Sequence, residues 1–331
     1  MTRIAVLGAG AFGTALAIQL ARRGSATLLW GRDAAALGEL GERRVNARYL
    51  PACRFPPELT TTADLDAAVG GAEHLLLAVP SHAFGTMLAE LAPRLRRGQG
   101  IVCASKGLEP GSGRLAHQVF AAICDDSRPF AVVSGPTFAA ELGLGLPTAV
   151  TVASRDLPFA ETIALALHGD GFRAYTTDDV IGVELGGAAK NVLAIAVGIA
   201  DGLGLGANTR AALITRGLNE IMRLATAMGA RIETLMGLSG LGDMVLTCTD
   251  DRSRNRRFGL ALGRGAEAAA AAAEIGTVEG LRAAPELLRL ARQHGIEMPI
   301  GEQVAAVLAG RTAPVEALRT LADRPVKAET E

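Results

Sequence analysis

The segment "IAVLGAGAFGTALA", Ile4 to Ala17, restricts what the first half of the chain can become. An apolar strand, "RIAVL", runs directly into Gly8, Gly10 and Gly13 in a G-x-G-x-x-G pattern, and a helix-forming run starts at once. A dinucleotide pyrophosphate needs this context: Gly8 permits the tight turn, Gly10 lets the phosphates approach the backbone, and Gly13 lets helix and strand pack. The unpaired N–H groups of the helix's first turn then face the phosphates. Ala11 and Phe12 lie between the second and third glycines, inside the loop a cofactor would touch. Glycines in this pattern also occur in plain turns, so the flanking strand and helix carry the assignment.

Apolar runs recur through the same half: "RIAVLG", "TLLW", "HLLLAV", "GIVCAS", "FAVVSG" and "TAVTVAS". They do not alternate with polar residues, which is the mark of strands buried on both faces of a largely parallel sheet. With the glycine loop they predict an α/β fold, an N-terminal Rossmann-type doubly wound sheet. After about Tyr175 the strand runs stop, and Ala/Leu/Gly-rich segments of helical period predict an α-helical C-terminal domain. The division falls at 1–178 and 179–331, near "TTDDV", where Thr177 or Asp178 is the expected cap of the next helix. A chain of 331 residues with 49% apolar composition is long enough for two such cores. The Ala-rich stretch between Ala266 and Glu274 reads as an exposed helix or loop, and the closing "DRPVKAETE" as a frayed tail; neither is assigned a role.

Several function classes drop out. Lys plus Arg is 33 against 34 for Asp plus Glu, so no global field recruits nucleic acid or anionic lipid, and an anionic partner must be recognised locally. Cys53, Cys103, Cys124 and Cys248 are scattered singly and the five histidines form no pair at ligand spacing, which argues against a metal site or a disulfide framework. No apolar run reaches the roughly 18 residues of a membrane span without a charge. The strand pattern begins at Arg3, with no room for a cleavable leader. The expectation is a cytoplasmic protein without membrane insertion.

Ligands of doubly wound sheets bind beyond the carboxyl ends of the strands, so the residues after each run are informative. These are "PSHAF", "SKGLE" and "GPTFAAE", which place Lys106, Gly135 and Thr137 on the rim and make His82 a loop histidine. The second run ends in "LLWGRD", where an acidic residue would bind the ribose 2′-hydroxyl of NAD and repel a 2′-phosphate. Arg32 instead leaves NADP open beside NAD, or is simply solvated.

In the helical half, "ELGGAAKNVLAIAVGIADG" reads as a buried helix, yet carries Lys190. Helical spacing puts Lys190 on one small, polar face with Gly187, Asn191, Ala194, Gly198 and Asp201. The lysine either snorkels to solvent or works in a cleft beside that face. Further on, "DDRSRNRRFG" places Ser253 as a helix cap with Arg254, Asn255 and Arg256 on the first turn. Positive side chains beside free N–H groups suit a phosphate; the alternative is a basic turn offset by Asp250 and Asp251. Cys248 reads as a small buried residue.

In order, "GAGAFGTALA", "VPSHAF", "SKGLE", "SGPTFAAE", "ELGGAAKNVLAIAVGIADGLGLGANTRAALITRG", "LSGLGDMVLTCT" and "SRNRRFG" resemble the NAD(P)-dependent glycerol-3-phosphate dehydrogenases of bacterial type. The resemblance runs from Ile4 to about Ile300, and the block from Glu184 to Gly217 is its most specific part. It implies reduction of dihydroxyacetone phosphate to sn-glycerol 3-phosphate with NADP or NAD as cofactor, feeding glycerophospholipid synthesis. Residue by residue, it implies that Lys190 is the catalytic acid/base and that Lys106 contacts substrate and nicotinamide. It further implies that Gly135, Thr137, Asn191, Asp243, Ser253, Arg254 and Asn255 line the substrate site, with Ala139, Arg254, Thr277 and Glu279 near the cofactor. Phe12 stands where the family usually has Trp, and the Ala-rich stretch replaces a more varied loop. Asp243 would orient a lysine or a substrate hydroxyl. Two other readings stay open: a related two-domain reductase of a carboxylate substrate, of 2-hydroxy acid or ketopantoate type, and a non-catalytic NAD(P)H-sensing protein. The sequence leaves the oligomeric state open, and a homodimer is compatible with it.

Overall fold

A computed structural model describes residues 2–125 and 127–325 of the chain. Strands β1 (Ile4–Leu7), β2 (Thr27–Trp30), β3 (Leu59–Thr62), β4 (His74–Leu77), β5 (Gly100–Cys103), β6 (Phe130–Ser134), β7 (Thr148–Ala153) and β8 (Phe172–Thr177) form one sheet. Their order is β3-β2-β1-β4-β5-β6-β7-β8, and every neighbouring pair is parallel except β6 with β7. Each unalternating apolar run is a strand. The two strands absent from those runs, β3 ("LTTT") and β8 ("FRAYTT"), are the sheet's edges and are partly exposed, so neither carries an apolar run.

Helices cover both faces of the sheet. Leu16, Ile18, Leu20, Leu167 and Phe172 pack into one core, and Trp30, Leu88, Leu91 and Phe120 into the other. Beside β1 the strand order reverses, and in such sheets that switch point, at the carboxyl ends of β1 and β4, is where ligands bind. Gly8 turns there with φ +124°, and a Cβ on it would lie 2.5 Å from the Ala78 carbonyl oxygen that follows β4. A Cβ on Gly13 would fall 1.9 Å from the Gly8 oxygen, so helix Ala11–Arg22 sits on the loop only because that position has no side chain.

The helical half is organised by one long helix, Val180–Gly202, whose cap differs from the expectation. Asp179 caps it, accepting the Gly182 N–H at 2.9 Å. Thr177 and Asp178 are engaged elsewhere: the Thr177 hydroxyl accepts from the Asp179 N–H, and the Asp178 carboxylate pairs with Arg231. The helix is long and apolar enough to cross a bilayer, but nearly its whole surface is buried under neighbouring helices, so it is a core element. Gly198 and Gly202 let it meet helix Arg254–Gly263 backbone to backbone, opposite Gly259 and Gly263. The Ala-rich stretch is the helix Ala268–Ile275, in which only Ala271 is buried. Of the closing "DRPVKAETE", Asp323 to Pro325 follow the last helix, and the rest lies outside the described residues.

Candidate active site

Two close approaches shape the surroundings of Lys190, one within the helical half and one between the halves. At Gly186 a Cβ would lie 2.6 Å from the Ser239 carbonyl oxygen, so the π-helical turn Leu238–Gly242 presses against the long helix there. Asp243 follows that turn directly. At Gly187 a Cβ would lie 2.9 Å from the Ser134 hydroxyl at the end of β6, with the Lys106 stem beyond it. Any larger residue at either position would push the lysine away from its partners.

Those partners form one continuous network. The Lys190 Nζ donates to Asp243 Oδ1 at 2.5 Å and to Thr247 Oγ1 at 3.0 Å. Lys106, from the nucleotide half, donates to Asp243 Oδ2 at 2.8 Å, to the Gly135 carbonyl at 2.8 Å and, at the limit of hydrogen bonding, to Thr137 Oγ1 at 3.5 Å. Asp243 is 1% exposed, which decides its chemistry. Burial alone would push its carboxyl up; the ammoniums of Lys106 and Lys190 outweigh that and hold it below the usual carboxylate range. Lys106 moves the other way: burial lowers its ammonium to about 8, with Lys190 adding to the effect and Asp243 opposing it.

A second network starts one residue on. Asn191 donates to Glu279 Oε2 at 3.1 Å and accepts from Asn255 Nδ2 at 2.9 Å, and Asn255 Oδ1 takes the Gly280 N–H at 2.8 Å. Ser253 is the expected cap, accepting the Arg256 N–H at 3.2 Å. Helix geometry leaves the Arg254 and Asn255 amides without an intrahelical acceptor. Arg254 is exposed at this turn, whereas Arg256 turns inward to pair with Asp201 of the long helix. Of these two arginines, Arg254 is the one that stays exposed. It follows that the small face of the long helix is divided. Gly187, Lys190 and Asn191 look toward the nucleotide half and Glu279, while Gly198 and Asp201 are covered by helix Arg254–Gly263.

The glycine loop fits a dinucleotide. No side chain caps helix Ala11–Arg22, so its first-turn amides are left to a ligand, and a Cβ on Gly10 would meet nothing within 4 Å, which leaves room for a pyrophosphate against the backbone. The Phe12 ring centroid lies 5.5 Å from the Lys106 Nζ, which ties this loop to the lysine network. Ala11 opens the helix and Ala139 opens another, Ala139–Leu144. Arg32 is exposed just past β2, and Thr277 is exposed two residues before Glu279.

One residue, His82, behaves otherwise than the sequence suggested. His82 is in the first turn of helix Ser81–Leu91, not in a loop, and its ring meets Arg282. Cys248 is buried, and burial pushes its thiol up to about 12, which makes it no nucleophile. Thr247, which the sequence alone does not single out, stands one helical turn after Asp243 on the same face, within reach of Lys190. No cluster of potential metal ligands occurs among the described residues.

Residues 3–160 match the family model described as the NAD-dependent glycerol-3-phosphate dehydrogenase N-terminus, and residues 179–319 that of its C-terminus. A glycerol-3-phosphate dehydrogenase [NAD(P)+] of Stenotrophomonas maltophilia (strain R551-3) is 56% identical over 328 residues, 99% of this chain and 96% of that protein. The crystal structure of a glycerol-3-phosphate dehydrogenase from Coxiella burnetii superposes with a TM-score of 0.93 at 46% identity, covering 98% of this chain and 99% of that one. A ketopantoate reductase of Ralstonia eutropha reaches a TM-score of 0.60 at 18% identity over 96% of this chain and 99% of its own, a likeness of fold alone.

Proposed function

The chain belongs to the NAD-dependent glycerol-3-phosphate dehydrogenase family, and from that premise we propose that it interconverts dihydroxyacetone phosphate and sn-glycerol 3-phosphate with Lys190 as acid/base. The enzyme is an NAD(P)-linked oxidoreductase. The observation that carries the role of Lys190 is its buried ammonium, held by Asp243 and Thr247 on the side of the helix that faces Lys106 and the glycine loop.

When bound, the nicotinamide supplies a hydride to the ketone carbon or takes it back from the alcohol. Lys190 gives its proton to the carbonyl oxygen as negative charge develops there, and in reverse accepts the hydroxyl proton. Asp243 keeps the ammonium aimed and stays anionic between the lysines. Lys106 holds the substrate beside the nicotinamide face, with Gly135 and Thr137 at its other contacts. Arg254 and the amides of its turn bind the phosphate, while Asn191 and Asn255 fix that turn to the long helix. Ala139, Thr277 and Glu279 border the cofactor. The division at 1–178 and 179–331, a cytoplasmic location, a homodimer and supply of glycerophospholipid synthesis complete the proposal. A carboxylate reductase would show no preference for a phosphorylated ketone, and a sensor would show no turnover.

Lys190→Met keeps the length and apolar stem but removes the proton donor. It should lower turnover of dihydroxyacetone phosphate by roughly 10² to 10⁴ while circular dichroism and NAD(P)H titration stay unchanged. A folded variant with near-normal turnover would sink the acid/base role and move the search to Lys106.

A further inference from the structure

Arg252 belongs to the helical half, in the short connection between helices Asp243–Thr249 and Arg254–Gly263, yet its side chain crosses to the nucleotide half. Its guanidinium holds Asp250 with two nitrogens, Nε to Oδ1 at 2.9 Å and Nη2 to Oδ2 at 2.8 Å. Its third nitrogen, Nη1, pairs with Glu141 Oε1, and the plane lies over the Phe138 ring at 4.4 Å from the centroid. The Arg252 backbone N–H also returns to Asp250 Oδ1 at 2.8 Å, so the residue is fixed at both ends.

The far side of this bridge is firmly seated. Phe138 and Glu141 flank Ala139 at the start of helix Ala139–Leu144. Arg22, from the helix of the glycine loop, grips the other end of that short helix through the Leu142 carbonyl at 3.1 Å and the Gly143 carbonyl. On the inner side of the turn, Arg256 pairs with Asp201, a buried contact on the long helix. Ser253, Arg254 and Asn255 are thus held from within by Arg256 and from across the cleft by Arg252. We propose that Arg252 is a positioning residue: by clasping this turn to the Phe138–Glu141 rim it presets Arg254 for the substrate phosphate.

The inference rests on the reading of Arg254 as phosphate anchor. It assigns Arg252 no contact with the substrate. The Arg252 and Glu141 side chains are 49% and 34% exposed, so solvent screens the pair and its contribution to global stability is small. Placement is another matter, because a charge-assisted hydrogen bond tolerates only a fraction of an ångström of misplacement. The clasp should therefore act on substrate binding and leave melting nearly untouched. A planar fork that meets Asp250, Glu141 and Phe138 together has no equivalent in a lysine ammonium.

The test measures kcat, KM for dihydroxyacetone phosphate, KM for NADPH and Tm for Arg252→Gln, Glu141→Gln and the double variant, with Arg254→Ala alongside. Each single substitution should raise KM for dihydroxyacetone phosphate about tenfold, and the double variant should be no worse than the worse single, because both remove one clasp. The kcat, the NADPH KM and Tm should stay near wild type, and KM for unphosphorylated dihydroxyacetone should not move. If Arg254→Ala raises KM while Arg252→Gln and Glu141→Gln do not, the clasp is wrong and the phosphate anchor stands. If Arg254→Ala has no effect either, the anchor reading fails and takes the clasp with it. Additive effects of the two singles, or a parallel fall in kcat and Tm, would also overturn it, the first by removing the coupling and the second by making Arg252 merely structural.

Discussion

Replacing Gly198 by Ala probes how the turn that begins at Ser253, the proposed phosphate anchor, is held against the helix that carries Lys190. The new Cβ would lie 2.2 Å from the Arg256 carbonyl oxygen, 2.8 Å from the Leu260 nitrogen and 3.0 Å from the Gly259 Cα. These are backbone atoms, so no rotamer change can move them aside. Raising the first distance from 2.2 Å to the 3.0 Å floor of real Cβ contacts requires the two helices to part by most of an ångström. Gly259 makes the reciprocal contact, with its Cβ position 2.2 Å from the Ile195 oxygen, so the strain has no slack on the other side. Overpacking of this kind costs about 1–3 kcal/mol, against which Ala in a helix regains roughly 0.4–1 kcal/mol from the unfolded chain. A net loss near 1–2 kcal/mol would lower Tm by several degrees, since each kcal/mol is worth about 2–4 °C for a domain of 150–250 residues. The displaced carbonyl is two residues from Arg254, so KM for dihydroxyacetone phosphate should rise by about tenfold or more, while KM for NADPH holds. Gly38→Ala is the matched control: it sits in helix Ala34–Arg43, nothing lies within 4 Å of its Cβ position, and the substitution should be neutral or stabilising. Calorimetry and steady-state kinetics on both variants decide the matter. If Gly198→Ala melted at or above wild type with an unchanged KM, the backbone contact between these helices would not be what places the turn.

Because Arg32 stands exposed where an acidic residue would repel a 2′-phosphate, NADPH should support turnover at least as well as NADH, and Arg32→Ala should raise KM for NADPH selectively. An equal rise for both cofactors would refute the contact. Lys106, lowered to about 8 chiefly by burial, is cationic below that pH and neutral above it, so kcat/KM for dihydroxyacetone phosphate should fall as pH rises through about 8. The limb should vanish in Lys106→Met, and its persistence at the same pH would assign it to another group.

What the sequence disclosed follows from the range of the forces involved. A strand with covered faces must be apolar throughout, so β1, β2, β4, β5, β6 and β7 announce themselves, while β3 and β8 lie at the edges and mix polar with apolar residues. The glycine loop is equally legible, because Gly8 and Gly13 answer a steric demand of their own neighbourhood. Lys190 could be singled out as a charge in an apolar helix, but its setting could not, since Asp243 reaches it from 53 residues away and Lys106 from the other half. The division of its small face was hidden for the same reason: Gly198 and Gly187 look alike in sequence, and only the position of helix Arg254–Gly263 covers one and leaves the other toward the site. Arg256 and Arg254 are two residues apart and equally cationic, and it is Asp201 of the long helix, together with Asp251, that draws one of them away. Asp179 displaced Thr177 and Asp178 as helix cap because they have other partners, Asp178 taking Arg231 from 53 residues away.

The position of Asp243 explains why a lysine can occupy a buried helix at all. Two ammoniums brought close together in a dry interior repel, and either would lose its charge unless something offset both. Asp243 divides its oxygens between them, Oδ1 to Lys190 and Oδ2 to Lys106, so one anion compensates two cations. The cluster that results is already ordered before substrate arrives. On the proposed role of Lys190, an alkoxide forming beside it would develop its charge against fixed groups with little reorganisation left to do, the condition under which electrostatic stabilisation is largest. The arrangement also couples chemistry to assembly. Lys106 comes from the sheet side and Lys190 and Asp243 from the helices, so separating the halves would leave Asp243 with one lysine and Lys106 with its Gly135 and Thr137 contacts alone. The Asp243 bridge between the two lysines exists only when rim and long helix are docked, which would place the proposed proton donor and the nicotinamide site under the same structural condition.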